Sequence, residues 1–219
     1  MYGLPTMQPY RKYFTRILEF HYPREASKMI AETDNHYNII SKDISFASRS
    51  PNPIDRRLDF SAYFLALIKT LSGRGEDFNQ VRKICLEIVT DYVRPKNRLQ
   101  GYLKRLPAKL TNTWIAIKII ARLNKRMSTN PHPDGFVANI ITDKQQTFGL
   151  GYGFDILECG ICKLFAKHQM EEYVTILCEV DEITSGLAGL QLIRSGTIAR
   201  GAQCCDFRFK KDAPPVEIG

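Results

Sequence analysis

Three short runs of this sequence hold residue types that do chemistry. The first is Cys159-Gly160-Ile161-Cys162. A strand pattern gives way to a helical one there, so the two thiols fall at a strand-to-helix junction. Backbone N–H groups at a helix start carry partial positive charge, which favours a thiolate. The pair reads in three ways: half of a metal site, a redox pair, or two small buried residues. Thioredoxin-like chemistry is disfavoured, because no βαβ pattern surrounds the motif. The second run is Cys178-Glu179-Val180-Asp181-Glu182. On a helix Cys178, Asp181, Glu182 and Ser185 share one stripe, while Leu177, Val180, Ile183 and Leu187 project elsewhere. An acidic stripe is ordinarily a wet face, and a cysteine on a wet face is unusual. The third run is Cys204-Cys205-Asp206-Phe207-Arg208-Phe209. In a strand Cys205, Phe207 and Phe209 point to the core, and Cys204, Asp206 and Arg208 point the other way. Asp206 and Arg208 are then a surface ion pair or an anchor for a carboxylate ligand.

Other candidates say less. Gly149, Gly151 and Gly153 alternate strictly and no helix starts among them, so they are not a dinucleotide fingerprint. They form a bare face that admits a helix or a ligand. His21, His36, His132 and His168 are scattered and make no histidine metal cluster; His168 lies near the cysteine-pair helix.

The elements that must position these groups follow from periodicity. Tyr10, Phe14, Ile17 and Leu18 recur at helical spacing over residues 7–20. Pro23 restarts a helix running into the forties, with Met29, Ile30, Tyr37 and Ile40 on its apolar side. Ser50-Pro51-Asn52-Pro53 is a break, and Asp55 is placed to cap a third helix. Asp77 or Glu76 opens a fourth, which stops before Pro95. Residues 109–127 hold Trp114, Ile115, Ile117, Ile119, Ile120 and Leu123 pointing in nearly all directions. That pattern predicts a central, buried helix. After the loop Asn130-Pro131-His132-Pro133-Asp134-Gly135 the period changes. Strands are expected over 137–142 and 148–158, helices over 160–170 and 172–187, and strands over 190–199 and 203–209. The fold class is α+β: a helical N-terminal layer packed on a C-terminal four-stranded antiparallel sheet with two intervening helices. The expected organisation is a single domain over 1–219, with 1–130 mainly helical and 136–211 the sheet-and-helix region.

Composition narrows the function classes. The chain has 219 residues, 44% hydrophobic and 25% charged, which is ordinary for a folded chain. The net charge of +8 raises the question of nucleic acid. The basic residues are interleaved with acids, and Arg56-Arg57, Lys104-Arg105 and Lys125-Arg126 are short pairs. No RNA-binding, zipper or zinc-finger signature occurs. The charge reads as a solvated surface that steers an anionic small molecule. The expected partner is a small-molecule substrate, not nucleic acid and not membrane, with a homo-oligomer left open. No apolar run is long enough for a bilayer span and no secretory leader opens the chain, so a cytoplasmic location with reduced thiols is expected.

The ordered set Cys159-Gly160-Ile161-Cys162-Lys163-Leu164-Phe165, Leu177-Cys178-Glu179-Val180-Asp181, Arg194-Ser195-Gly196-Thr197-Ile198-Ala199-Arg200-Gly201 and Cys205-Asp206-Phe207-Arg208-Phe209 resembles the C-terminal signature of the L-2-amino-thiazoline-4-carboxylic acid hydrolase family. The resemblance covers roughly the last third of the chain. It implies hydrolytic opening of a cyclic amidine to N-carbamoyl-L-cysteine. Such a reaction needs a nucleophile, a proton donor and a carboxylate anchor. Carried onto the matched positions, Cys159 or Cys178 is the thiolate, with Cys205 beside them. Asp181 is the acid/base, Arg194, Thr197 or Arg208 holds the carboxylate, and Asp206 orients its neighbours. A thiolate beside Asp181 is disfavoured, which tilts the choice from Cys178 to Cys159.

Two other readings compete. Cys159, Cys162, Cys178 and Cys205 converging on one ion would make a zinc site, closed with four thiolates or opened by Asp181 or water. The hydrolase reading requires no cofactor; this one takes a divalent metal. The third reading is a non-catalytic small-ligand-binding or sensor domain, with the helix around Trp114 and the glycine face lining an apolar cavity.

Overall fold

The structure is a computed structural model that describes residues 9–94, 114–128 and 131–211. The helical layer comprises α1 (Arg11–His21), α2 (Ala26–Ile40), α3 (Arg57–Gly73) and α4 (Phe78–Val93), with a 3-10 turn over Pro53–Arg56 leading into α3. Then follow α5 (Trp114–Ser128), β1 (Val137–Ile141), β2 (Gly153–Glu158), α6 (Gly160–Lys167), α7 (Val174–Leu187), β3 (Leu190–Ile193) and β4 (Cys205–Lys211). The chain is α+β, as its periodicities predict.

The central buried helix is α3, not the segment around Trp114. Leu58, Phe64, Leu65, Leu67, Ile68 and Leu71 of α3 are fully enclosed, the mark of a helix that is apolar all round. In α5 Ile120 and Met127 are buried, but Lys118, Ala121 and Arg122 are exposed, as is Ile119 at 54%. One face of α5 covers β1, and Ile119 and Ala121 on its other side meet solvent. Single exposed apolar side chains of this kind are common. The start of the predicted helix, residues 109–113, lies outside the described residues. From α5, Asn124 Oδ1 accepts the backbone N–H of Ile140 on β1 at 3.2 Å.

The four strands are antiparallel in the order β1-β2-β4-β3. Phe154 pairs with Phe207 and Ile156 with Cys205 on the face that is buried; Asp155 pairs with Asp206 on the other. Two predicted strands are shorter than their sequences promised. Residues 148–152 form a turn, with Phe148, Gly149 and Gly151 at φ 51°, 81° and 65°, a left-handed region in which glycine carries no penalty. Gly149 and Gly151 therefore shape a turn rather than a bare strand face, and Gly153 alone of the three belongs to β2. Thr147 closes it, donating to the Asp143 carbonyl at 2.6 Å and accepting from Gly151 N–H at 2.9 Å. The strand expected over 190–199 stops at Ile193, because the amides of Ser195 and Gly196 turn to the Asp206 carboxylate (3.0 and 3.2 Å) instead of a neighbouring strand.

Asp55 does not cap α3. It is fully buried in the preceding 3-10 turn, where Asn52 supplies the cap by accepting from Ile54 N–H at 3.1 Å. The Asp55 carboxylate accepts Phe136 N–H at 2.9 Å and the Ser50 hydroxyl, and Asn52 Nδ2 donates to the Phe136 carbonyl at 2.9 Å. These bonds fasten the start of the sheet to the helical layer. A Cβ at Gly135 would sit 2.9 Å from Asp55 Oδ1, so the loop passes here only as glycine. Buried residues of both regions, from Phe14 and Phe64 to Phe165, Ile176 and Phe207, form one cluster. No described helix is long and apolar enough to cross a membrane.

Candidate active site

A cavity of about 270 Å³ lies between the buried face of the sheet and the helices. Phe154, Ile156 and Phe207 floor it; Leu123 and Met127 of α5 and Ile54 wall one end. The other end is polar, built from Arg57, Cys159, Cys178, Asp181, Arg194 and Cys205. Strand parity brings Arg194 in: Leu190 and Leu192 face inward, and Arg194 continues the alternation. Helical spacing brings in α7, whose Val174, Leu177, Cys178 and Asp181 form an i, i+3, i+4, i+7 stripe. The half-buried stripe that reads as a wet face is turned to the cavity, and solvent takes Glu182, whose side chain is 66% exposed. The ion pair of Arg82 with Glu179, in which the carboxylate accepts from Nε at 2.9 Å, holds α7 against α4.

Cys159 follows β2 directly and occupies the N-cap of α6, with extended backbone (φ −101°, ψ 111°). Its pKa is lowered from 9.0 to about 7. The largest cause is the Cys162 thiol, followed, against the opposing push of burial, by the first-turn amides of Cys162 and Ile161. Those amides favour the thiolate without closing a capping hydrogen bond. The Cys162 thiol is raised in turn, because it keeps the proton that supports its neighbour. Burial pushes Cys178 up to about 11, with Asp181 adding to the rise and Arg194 and Thr197 opposing it. Cys205 is also raised by burial, although its sulfur accepts Ile198 N–H at 3.2 Å. Of the three thiols on the cavity wall, only Cys159 is poised to ionise near neutral pH.

Asp181 stands between two cations. Arg57 Nη2 donates to its Oδ1 at 2.8 Å, and Arg194 Nη1 is 3.6 Å from its Oδ2. Asp181 is in turn the main reason that Arg57 holds its proton more tightly than usual. The Arg194 guanidinium lies over the Phe207 ring at 5.2 Å and donates through Nη2 to the Cys178 carbonyl at 3.2 Å. Its side chain is 10% exposed, and Nη1 is buried with no hydrogen-bond partner. Thr197, beside Cys178 and almost fully buried, also has a hydroxyl without a partner of ordinary geometry. Buried donors left open are rare in folded chains and mark strain, a catalytic role, or a bound water or ion.

Asp206 and Arg208 stand on the opposite face of the sheet. Arg208 Nη1 donates to Asp155 Oδ1 at 2.8 Å, a cross-strand pair, so it does not reach the cavity as a carboxylate anchor. Asp206 accepts from Ser195 N–H, Ser195 Oγ (2.8 Å) and Gly196 N–H. Partial burial pushes its carboxyl up, but these donors outweigh it and hold the pKa below the ordinary carboxylate value. Asp206 therefore acts on the turn that carries Arg194 and Thr197, not on a bound molecule. Among the described residues no three of His, Cys, Asp and Glu are grouped so as to hold a metal ion. Cys159, Cys178 and Cys205 line the cavity and Cys162 stands behind Cys159, without forming such a set.

Sequence reasoning missed Arg57, read there as half of a solvated basic pair. Nothing marks it among 31 lysines and arginines except that an inward acid such as Asp181 needs a cation.

No curated protein and no solved structure matches the chain. A family profile does, over residues 56–209, a stretch that contains every polar residue of the cavity. With the fold, the cavity and that match in hand, the chain belongs to the L-2-amino-thiazoline-4-carboxylic acid hydrolase family.

Proposed function

We propose that this chain is a thiol-dependent hydrolase that opens a small cyclic amidine, 2-amino-thiazoline-4-carboxylate, to N-carbamoyl-L-cysteine. The observation that carries the reading is one cavity lined both by a thiol with pKa about 7 and by Arg194, whose buried Nη1 has no hydrogen-bond partner. Size agrees. An apolar cavity of about 150 Å³ admits benzene, so about 270 Å³ holds roughly ten non-hydrogen atoms, the size of the thiazoline carboxylate.

In this reading Arg194 holds the carboxylate, and the Asp181 carboxylate, which accepts from Arg57, pairs with the amidinium. The Cys159 thiolate adds to the amidine carbon, the ring C–S bond breaks, and the departing sulfur takes a proton from solvent. Water then adds to the same carbon and loses its protons, one of them to Asp181. Cys159 leaves as thiolate and the urea product forms. All six cysteines are free, which suits the reducing cytosol.

The test is release of a free thiol from L-2-amino-thiazoline-4-carboxylate, followed by thiol titration and mass spectrometry. Wild-type protein turns over; folded Cys159→Ser does not. Turnover surviving in that variant removes Cys159 as nucleophile, and none in the wild type removes the substrate. A second reading, ligand binding without turnover, draws on the apolar wall of Leu123, Met127 and Phe154. It requires saturable binding with no product.

A further inference from the structure

The cysteine pair has a property that hydrolysis does not use. Cys159 is the N-cap of α6 and Cys162 is its third helical residue. Side chains at these two positions meet, as they do in a capping box. The first turn is closed by Lys163 N–H on the Cys159 carbonyl at 3.1 Å, which puts the two Cα atoms about 5 Å apart, within the span a disulfide bridges. Both are free thiols, and neither is fully buried. Cys159 lines the cavity, so a small oxidant that enters meets it first. The other wall thiols are less ready: Cys205 is buried with its sulfur on the Ile198 amide, and Cys178 lies against Thr197.

We infer that Cys159 and Cys162 form a reversible disulfide with small-molecule disulfides as the oxidant, and that closure switches the cavity off. The second half rests on the proposed role of Cys159 as nucleophile. The Cys159 thiolate attacks one sulfur of the oxidant, whose S–S bond breaks to leave a mixed disulfide and one small thiol. Cys162 loses its proton and attacks the Cys159 sulfur, expelling the second small thiol. Two protein thiols are oxidised and one external disulfide is reduced to two thiols. The bond takes the Cys159 sulfur away from any bound substrate, and a reducing thiol pool reverses it.

The experiment uses the full chain equilibrated in buffers of 2-mercaptoethanol and its disulfide, 2-hydroxyethyl disulfide, from reduced to oxidised, quenched in acid, alkylated and cut with trypsin. Both cysteines fall in one tryptic peptide, residues 145–163. The expected result is that this peptide becomes two hydrogens lighter and resistant to alkylation in oxidised buffer, and recovers with dithiothreitol. Cys162→Ser then collects a mercaptoethanol adduct on Cys159, and Cys159→Ser collects none on Cys162. Thiols that both stay open to alkylation in excess 2-hydroxyethyl disulfide overturn the inference, as does a disulfide linking peptide 145–163 to another peptide. Hydrolysis measured in parallel falls by at least about tenfold on closure; full activity in the closed form overturns the switch. The mass readout needs no turnover. A chain that closes but hydrolyses nothing when reduced leaves the redox pair standing and sinks the proposed function instead.

Discussion

Cys162→Ala tests how the Cys159 thiolate is made. Cys162 is the largest cause of the fall from 9.0 to about 7 at Cys159, and the helix amides remain when it is removed. Returning about half of that depression puts the variant thiol near 8. At pH 6 its thiolate fraction is then roughly ninefold smaller. A less stabilised thiolate is also more nucleophilic, by about threefold per pKa unit for a Brønsted slope of 0.4–0.5. The two effects oppose each other. The variant is about threefold slower at pH 6 and about threefold faster above pH 9, and the two profiles cross between about pH 7 and 8. The assay is the rate of iodoacetamide alkylation of Cys159 from pH 5.5 to 10, read by mass spectrometry and independent of any substrate. A variant profile that runs parallel to the wild type, or whose midpoint shifts down, refutes the assignment of Cys162 as the support of the thiolate.

Three further outcomes follow from the contacts. Asp55→Ala leaves the buried Phe136 amide without an acceptor and unties the sheet from α3, so unfolding by denaturant should show a loss of about 3 kcal/mol. Arg194→Met removes a cavity cation and should raise KM by at least about tenfold, whereas Arg208→Met, whose partner is Asp155 on the far face, should leave steady-state kinetics within about twofold. Asp206→Ala frees the turn holding Arg194 and Thr197, so KM should rise with stability down by about 1–2 kcal/mol. Because the folded Asp206 pKa lies below its unfolded value, this contribution is full above the ordinary carboxylate pKa and is lost as pH falls through the folded one. Acid titration of stability in the variant should lack that step.

The sequence announces those parts of the site that lie on regular elements. Cys159 and Cys162 are legible because a cysteine pair at a strand-to-helix junction has few geometries open to it. Cys178 and Asp181 are legible as a helical stripe, but which way the stripe faces is decided by packing: Glu179 pairs with Arg82 of α4, and the Val174–Leu177 side then turns to the sheet. Alternation sorts Cys205 from Asp206 and Arg208 correctly. It does not say that the outward pair meets protein groups, Ser195 and Asp155, rather than a ligand. Phe148 to Tyr152 misleads because alternation of large residues with glycine imitates a strand, while left-handed backbone at Gly149 and Gly151 makes a turn. Arg57 was out of reach because it meets Asp181 across 124 positions of sequence.

The Asn124 side chain on the Ile140 amide has a consequence for how copies of this chain meet. β1 and β3 are the margins of the sheet, and a bare margin invites another molecule to dock alongside it strand by strand. At the β1 margin α5 lies across the strand and its asparagine occupies an amide that would otherwise recruit a neighbour. At the β3 margin the strand is only four residues long, too short for a stable intermolecular ladder. Among the described residues neither margin therefore offers a long bare strand to which a second copy could add its own.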